Sequence, residues 1–100
     1  MNKLETRFFS HLCAFYPSAK FHAQSIRWKL GNGIWYKPDV VCFDWDCGDR
    51  GRVACWEVKG PHAFRGGFEN LKVAASLYPE VVWRLVWEQD GRWQEQIVLP

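Results

Sequence analysis

Two acidic side chains and a lysine stand in stretches that otherwise suit a protein interior. Asp39 follows Pro38 in YKPDVV, and Glu57 and Lys59 sit two apart in ACWEVKG. Strand side chains alternate between faces. Val53, Cys55, Glu57 and Lys59 therefore share one face, and Ala54, Trp56 and Val58 the other. Burying a charge is costly unless it finds a partner. Proline within a strand is confined to an edge, a start or a bulge, so regular pairing is expected to break where Asp39 sits. If the strands carrying Asp39 and Glu57 pair, their carboxylates approach and repel, raising one pKa unless positive charge lies between them. Lys59 supplies one such charge, and a divalent cation would supply two more while organising both acids. A few oxygen ligands with room for water suit magnesium or manganese. Such an ion activates water and stabilises charge on a transferring phosphoryl group. The lysine would orient the water or neutralise the developing charge.

These residues need elements to position them. Leu4, Phe8, Leu12 and Phe15 recur at helical spacing and predict a helix over about residues 2 to 15, ended by Tyr16-Pro17. Three strands follow: FHAQSIRWKL, closed by Gly31-Asn32-Gly33; IWYKPDVVCFDW; and RVACWEVKG, closed by Gly60-Pro61. Short polar connections predict an antiparallel meander. A second helix is predicted over about residues 66 to 78, with Phe68, Leu71, Ala75 and Tyr78 inward. The near-continuous apolar run VVWRLVWEQ suits a central strand covered on both faces. Asp90-Gly91 turns it into RWQEQIVLP, an edge strand. The expected architecture is a single α/β domain over residues 1–100, with a mixed sheet flanked by helices in the order α-β-β-β-α-β-β.

Pro38-Asp39 followed by Glu57-Val58-Lys59, set in that order of elements, resembles the PD-(D/E)XK nuclease superfamily and its restriction-endonuclease-like core. Within it, the pattern Y-x-P-D, then x-E-V-K-G, then a helix bearing a lysine is similar to small phage-encoded and archaeal resolvase-like endonucleases. The resemblance spans about Glu5 to Trp87. It implies metal-dependent hydrolysis of DNA phosphodiester bonds, on branched or duplex DNA, with Mg²⁺ or Mn²⁺ as cofactor. Asp39, Glu57 and the main-chain carbonyl of Val58 would hold the ion, Lys59 would be the catalytic lysine, and Glu5 would join from the first helix. On the second helix Lys72, or Arg65 as its rival, would contact the DNA backbone, with Lys37 and Arg27 as further phosphate contacts. A phage-encoded protein acting in the bacterial cytoplasm fits this picture, and a homodimer is the simplest way to cut both strands.

Each feature also has a plainer reading. Glu57 and Lys59 would make a surface ion pair on an exposed strand, and Pro38-Asp39 a loop entry. Glu5 would be a solvated first-turn acid, and Lys72 a partner for Glu69. The alternative to an enzyme is thus an inactive nucleic-acid-binding or protein-interaction domain of the same fold.

Composition sets the frame for both readings. The chain has 100 residues, 48% hydrophobic and 24% charged, with a net charge of +2. That is a globular composition, weakly suited to a polyanion. Other basic residues that would meet phosphates include Arg7, Lys20 and Lys29. No apolar run is long enough to span a membrane, and the N-terminal residues make a poor signal peptide. Cys13, Cys42, Cys47 and Cys55 lack zinc-knuckle spacing and are expected to be free thiols, zinc on Cys42, Cys47 and Cys55 being the lesser alternative. Asp44, Asp46 and Asp49 lack the glycine and terminal glutamate of an EF-hand loop, and His62 reads as a loop residue. Trp35, Trp45 and Trp93 are each of a kind that stacks on an unpaired base.

Overall fold

The structure is a computed structural model, and it describes residues 1–45, 52–60 and 64–100, the side chains of 64–67 excepted. Helix α1, Lys3–Phe15, starts at a capping box in which Asn2 and Glu5 satisfy each other's free backbone groups. Phe8 and Leu12 are buried on its inner face. Phe15, expected inward, is 66% exposed. Its place is taken by Tyr16, whose ring meets Trp45 edge-on at 4.8 Å after the helix has ended.

The strands are more finely divided than the sequence suggests. FHAQSIRWKL yields β1, His22–Ala23, and β2, Trp28–Gly31, because Gln24 takes a left-handed φ of 46° and turns the chain. IWYKPDVVCFDW yields β3, Ile34–Tyr36, and β4, Val40–Trp45, broken at Lys37-Pro38-Asp39. Strand β5 is Arg52–Lys59, helix α2 is Phe64–Leu77, β6 is Val82–Gln89 and β7 is Arg92–Ile97. The observed order is therefore α1-β1-β2-β3-β4-β5-α2-β6-β7. The expected meander holds only for pairs. β2 and β3 form their own two-stranded hairpin, while the main sheet runs β1-β4-β5-β6-β7. β5 and β6 are parallel because α2 carries the chain between them, and the other main-sheet pairs are antiparallel. β7 is an edge strand, as its polar alternation implies. The Asp90-Gly91 turn that leads into it has φ of 53° and 73°, the paired left-handed conformation of a tight hairpin.

The sheet is covered on both sides. On the α1 face, Phe8, Leu12 and Phe21 pack on Val40, Cys42, Trp45, Ala54, Trp56 and Val58. On the α2 face, Leu71, Ala74 and Ala75 pack with Tyr36, Val41, Cys55, Trp83 and Leu85. The β2–β3 hairpin lies on this second side, where the Trp28 ring meets those of Tyr78 at 4.9 Å and Trp83 at 5.3 Å. Cys42 and Cys55 thus belong to opposite faces and cannot share an ion. Cys42, Cys55 and the exposed Cys13 are free thiols, and burial pushes that of Cys55 up to about 12. Cys47, Asp46, Asp49 and His62 lie outside the described residues.

Candidate active site

The break at Pro38 builds the site. The β4–β5 ladder pairs Val41 with Cys55 and Val40 with Trp56. One step further would bring Asp39 opposite Glu57, on the face of Val41 and Cys55. There regular pairing stops, and the Asp39 side chain replaces it. Its Oδ2 accepts a 2.8 Å hydrogen bond from the Val58 N–H. In an extended residue the N–H and C=O leave the strand on the same edge, so the Val58 carbonyl is directed toward Asp39 as well. The Asp39 backbone is held from its other side, its carbonyl accepting from the Gln24 N–H at 3.0 Å.

Asp39 and Glu57 are the buried charged residues of the described chain, 6% and 7% exposed. Glu57 is well supplied with partners. Tyr36 donates its hydroxyl to Oε1 at 2.5 Å, and Lys59 Nζ lies 3.0 Å from Oε2. Asp39 is not. Burial first, and the Glu57 charge second, push its carboxyl up to about 7, and the Val58 N–H and Lys59 offset only part of this. Glu5 adds a smaller push in the same direction, so its charge also faces Asp39. The site therefore holds more negative charge than its one lysine neutralises.

Glu5 stands at the rim. Its carboxylate accepts from the Asn2 backbone and side chain in the capping box, and from Gln24 Nε2 at 3.3 Å. The first turn of α1 overlies the end of β5, and Leu4 lies 4.0 Å from the position a Cβ on Gly60 would take. Asp39, Glu57, Lys59, the Val58 main chain and, more loosely, Glu5 are thus brought together.

The basic residues are dispersed. Lys37 and Arg27 lie exposed at the β2–β3 hairpin, Arg27 over the Trp35 ring at 5.4 Å. Lys72 is exposed on α2 with its ammonium 5.4 Å from the Phe68 ring centre, a contact in place of the pairing with Glu69 considered above. The Arg65 side chain lies outside the described residues. Arg7 is already engaged, holding Glu88 through two hydrogen bonds of 2.8 and 3.0 Å.

Sequence reasoning missed Tyr36 and Gln24. Strand alternation would set Tyr36 and Asp39 on opposite faces, but the proline step between them cancels the alternation, so Tyr36 joins the cluster of Val41. Only the strand break signalled by Pro38 could have suggested it. Tyr36→Phe removes a donor to a buried carboxylate. Its expected cost is about 1.5–3 kcal/mol of stability, checked by urea unfolding, with Lys59 still paired to Glu57.

Among the described residues no group of three or more His, Cys, Asp and Glu side chains forms a metal cage. The donor set instead comprises two carboxylates and a main-chain oxygen. That set fits Mg²⁺ or Mn²⁺, which are commonly held by one or two carboxylates plus substrate phosphate and water. The excess negative charge at Asp39 favours a cation there.

The fold has a solved counterpart. The crystal structure of SSO0001 is similar, with a TM-score of 0.58 and 16% identity, covering 96% of this chain and 48% of that one. This chain thus spans about half the length of that protein, and at such identity the likeness is one of fold. No family model and no curated protein matches the chain.

Proposed function

We propose that this domain is a metal-dependent endonuclease hydrolysing DNA phosphodiester bonds. The observation that carries the reading is the buried Asp39–Glu57 pair on one sheet face, with Lys59 3.0 Å from Glu57. A solely structural role fits poorly. Glu57 alone would be satisfied by Tyr36 and Lys59, but Asp39 beside it is a buried acid driven toward neutrality. A carboxyl perturbed by burial and by a neighbouring charge in this way is typical of working sites.

Asp39, Glu57 and the Val58 carbonyl would hold the ion, and Glu5 would add negative charge from the rim. When bound, Mg²⁺ or Mn²⁺ supplies acidified water and positive charge for the phosphoryl oxygens. Lys59, fixed by Glu57, donates a hydrogen bond toward the attacking water or the non-bridging oxygen. Tyr36 holds the other Glu57 oxygen and so limits the rotation of that carboxylate. Burial pushes the Tyr36 hydroxyl far above its usual range, with the Glu57 charge adding to it, so it stays a neutral donor.

Two measurements test the proposal. Titration calorimetry should show Mn²⁺ binding in the wild type and none in Asp39→Ala. A nicking assay on supercoiled and branched DNA should show cleavage that EDTA stops. Manganese binding without cleavage would leave an inactive nucleic-acid-binding domain. No helix among the described residues is long and apolar enough to cross a membrane. Cutting both strands of a duplex or a junction calls for two centres, and a symmetric homodimer supplies them. Light scattering at micromolar protein, with and without DNA, should then show two protein chains per particle, and monomer alone in both would exclude it.

A further inference from the structure

We infer that the outer face of the β2–β3 hairpin binds an unpaired stretch of nucleic acid, with Trp35 as its stacking platform. The register pairs Lys29 with Trp35 and Trp28 with Tyr36. Side chains therefore alternate in sets: Trp28, Leu30 and Tyr36 pack inward, while Arg27, Lys29, Trp35 and Lys37 are exposed. The Arg27 guanidinium lies 5.4 Å and the Lys29 ammonium 6.0 Å from the centre of the Trp35 ring. Trp35 remains 51% exposed. Of the three tryptophans whose sequence context allowed base stacking, Trp45 is buried in the core and Trp93 packs edge-on against Phe8 at 5.1 Å. Trp35 alone of these is free to meet a ligand.

The charge of this face selects its occupant. From Arg27 to Lys37 the chain carries three basic residues and no acidic one, against a net charge of +2 for the whole protein. Among the described residues none of the three forms an ion pair, whereas Arg7, Lys59 and Arg84 all do. An aromatic ring flanked by unneutralised cations matches a polyanion that also offers flat bases, which is single-stranded nucleic acid. A duplex stacks its bases internally and would use only the cations.

The position deepens the proposed function and rests on it for its meaning. Tyr36, next to Trp35, turns inward to Glu57, and Asp39 is four residues from Trp35. Four extended residues span at most about 14 Å, a reach of only a few nucleotides. A strand held at Trp35 would pass close to the acidic pair. The substrate class is thus DNA with unpaired nucleotides within a few steps of the cut, as at a branch or flap.

Fluorescence anisotropy in EDTA tests binding without cleavage, so its outcome is independent of whether the site hydrolyses anything. The probes are a fluorescein-labelled single-stranded 20-mer, the same strand made abasic throughout, and the matching duplex. Trp35→Ala should weaken the single strand by about 5- to 150-fold, the range for losing one stacked base. It should leave the duplex and the abasic strand unchanged, and Trp35→Phe should retain most of the affinity. Lys29→Ala should weaken all three and lower the salt dependence by about one charge. No binding of the single strand by the wild type, or an equal loss on duplex and single strand, would overturn the inference. Circular dichroism confirms that the exposed substitutions leave the fold intact.

Discussion

Asp39→Asn is expected to abolish metal-supported cleavage and, in the same protein, to raise its thermal stability in EDTA at pH 8. Both effects come from one carboxyl. In the folded chain it ionises near 7, against 3.8 for a free aspartate, because it is buried beside Glu57. A folded pKa above the unfolded one gives a contribution that is fully present below about pH 4 and is lost as pH rises through 7. Above that pH the unfolded chain ionises freely and the folded chain ionises at a cost, at most on the order of 4 kcal/mol by pH 8. Asparagine never ionises, and its side-chain oxygen can still accept the Val58 N–H. The stability gain should therefore grow from pH 5 to pH 8 and vanish near pH 4, as read by thermal melts across that range. Cleavage should fall by about 10³-fold or more, since an ion that stabilises transition-state charge by several kcal/mol loses its ligand. Added Mg²⁺ should raise the melting temperature of the wild type and not of the variant. A variant less stable at pH 8 than at pH 5, relative to wild type, would show that the Asp39 charge is neutralised within the protein itself.

Such opposed changes mark residues kept at a cost to the fold, and they bear on how the site reads from sequence. Asp39, Glu57 and Lys59 were legible because strand alternation is a local rule and the break at Pro38 is a local event. Together they set three polar side chains on one face. Both helices were legible to within about two residues, since their apolar stripes face packed sheet. Tyr36 was not, because its place depends on how far the proline step turns the chain, which no periodicity encodes. The detached hairpin was hidden for a similar reason. Gln24 adopts a left-handed φ of 46° in a residue type with no special tendency to do so. Only the assembled structure, in which the Gln24 N–H is tied to the Asp39 carbonyl, accounts for that turn. The division of basic residues into engaged and unengaged was equally out of reach. Arg7 meets Glu88 across 81 positions of sequence, and nothing near either residue foretells it.

The role of Lys59 separates from its structural part by a second substitution. Lys59→Gln keeps an N–H donor near Glu57 Oε2 and removes the charge. In the metal-free protein this leaves a buried carboxylate with hydrogen-bond donors and no counter-charge, so stability should drop by roughly 3 kcal/mol. The ammonium also competes with any cation for Glu57, from which it stands 3.0 Å away. Its loss should therefore tighten Mn²⁺ binding in calorimetry, and the bound ion should restore much of the lost stability. Cleavage should move the other way, falling by about 10²–10³-fold in single-turnover assays at saturating metal, the usual effect of removing one positioned donor at a developing charge. A lysine that merely holds the strand together would weaken metal binding and cleavage in step. Tighter binding together with slower chemistry is the result that places the ammonium on the reacting groups, and unchanged cleavage would remove Lys59 from the mechanism while leaving the acidic pair as an ion site.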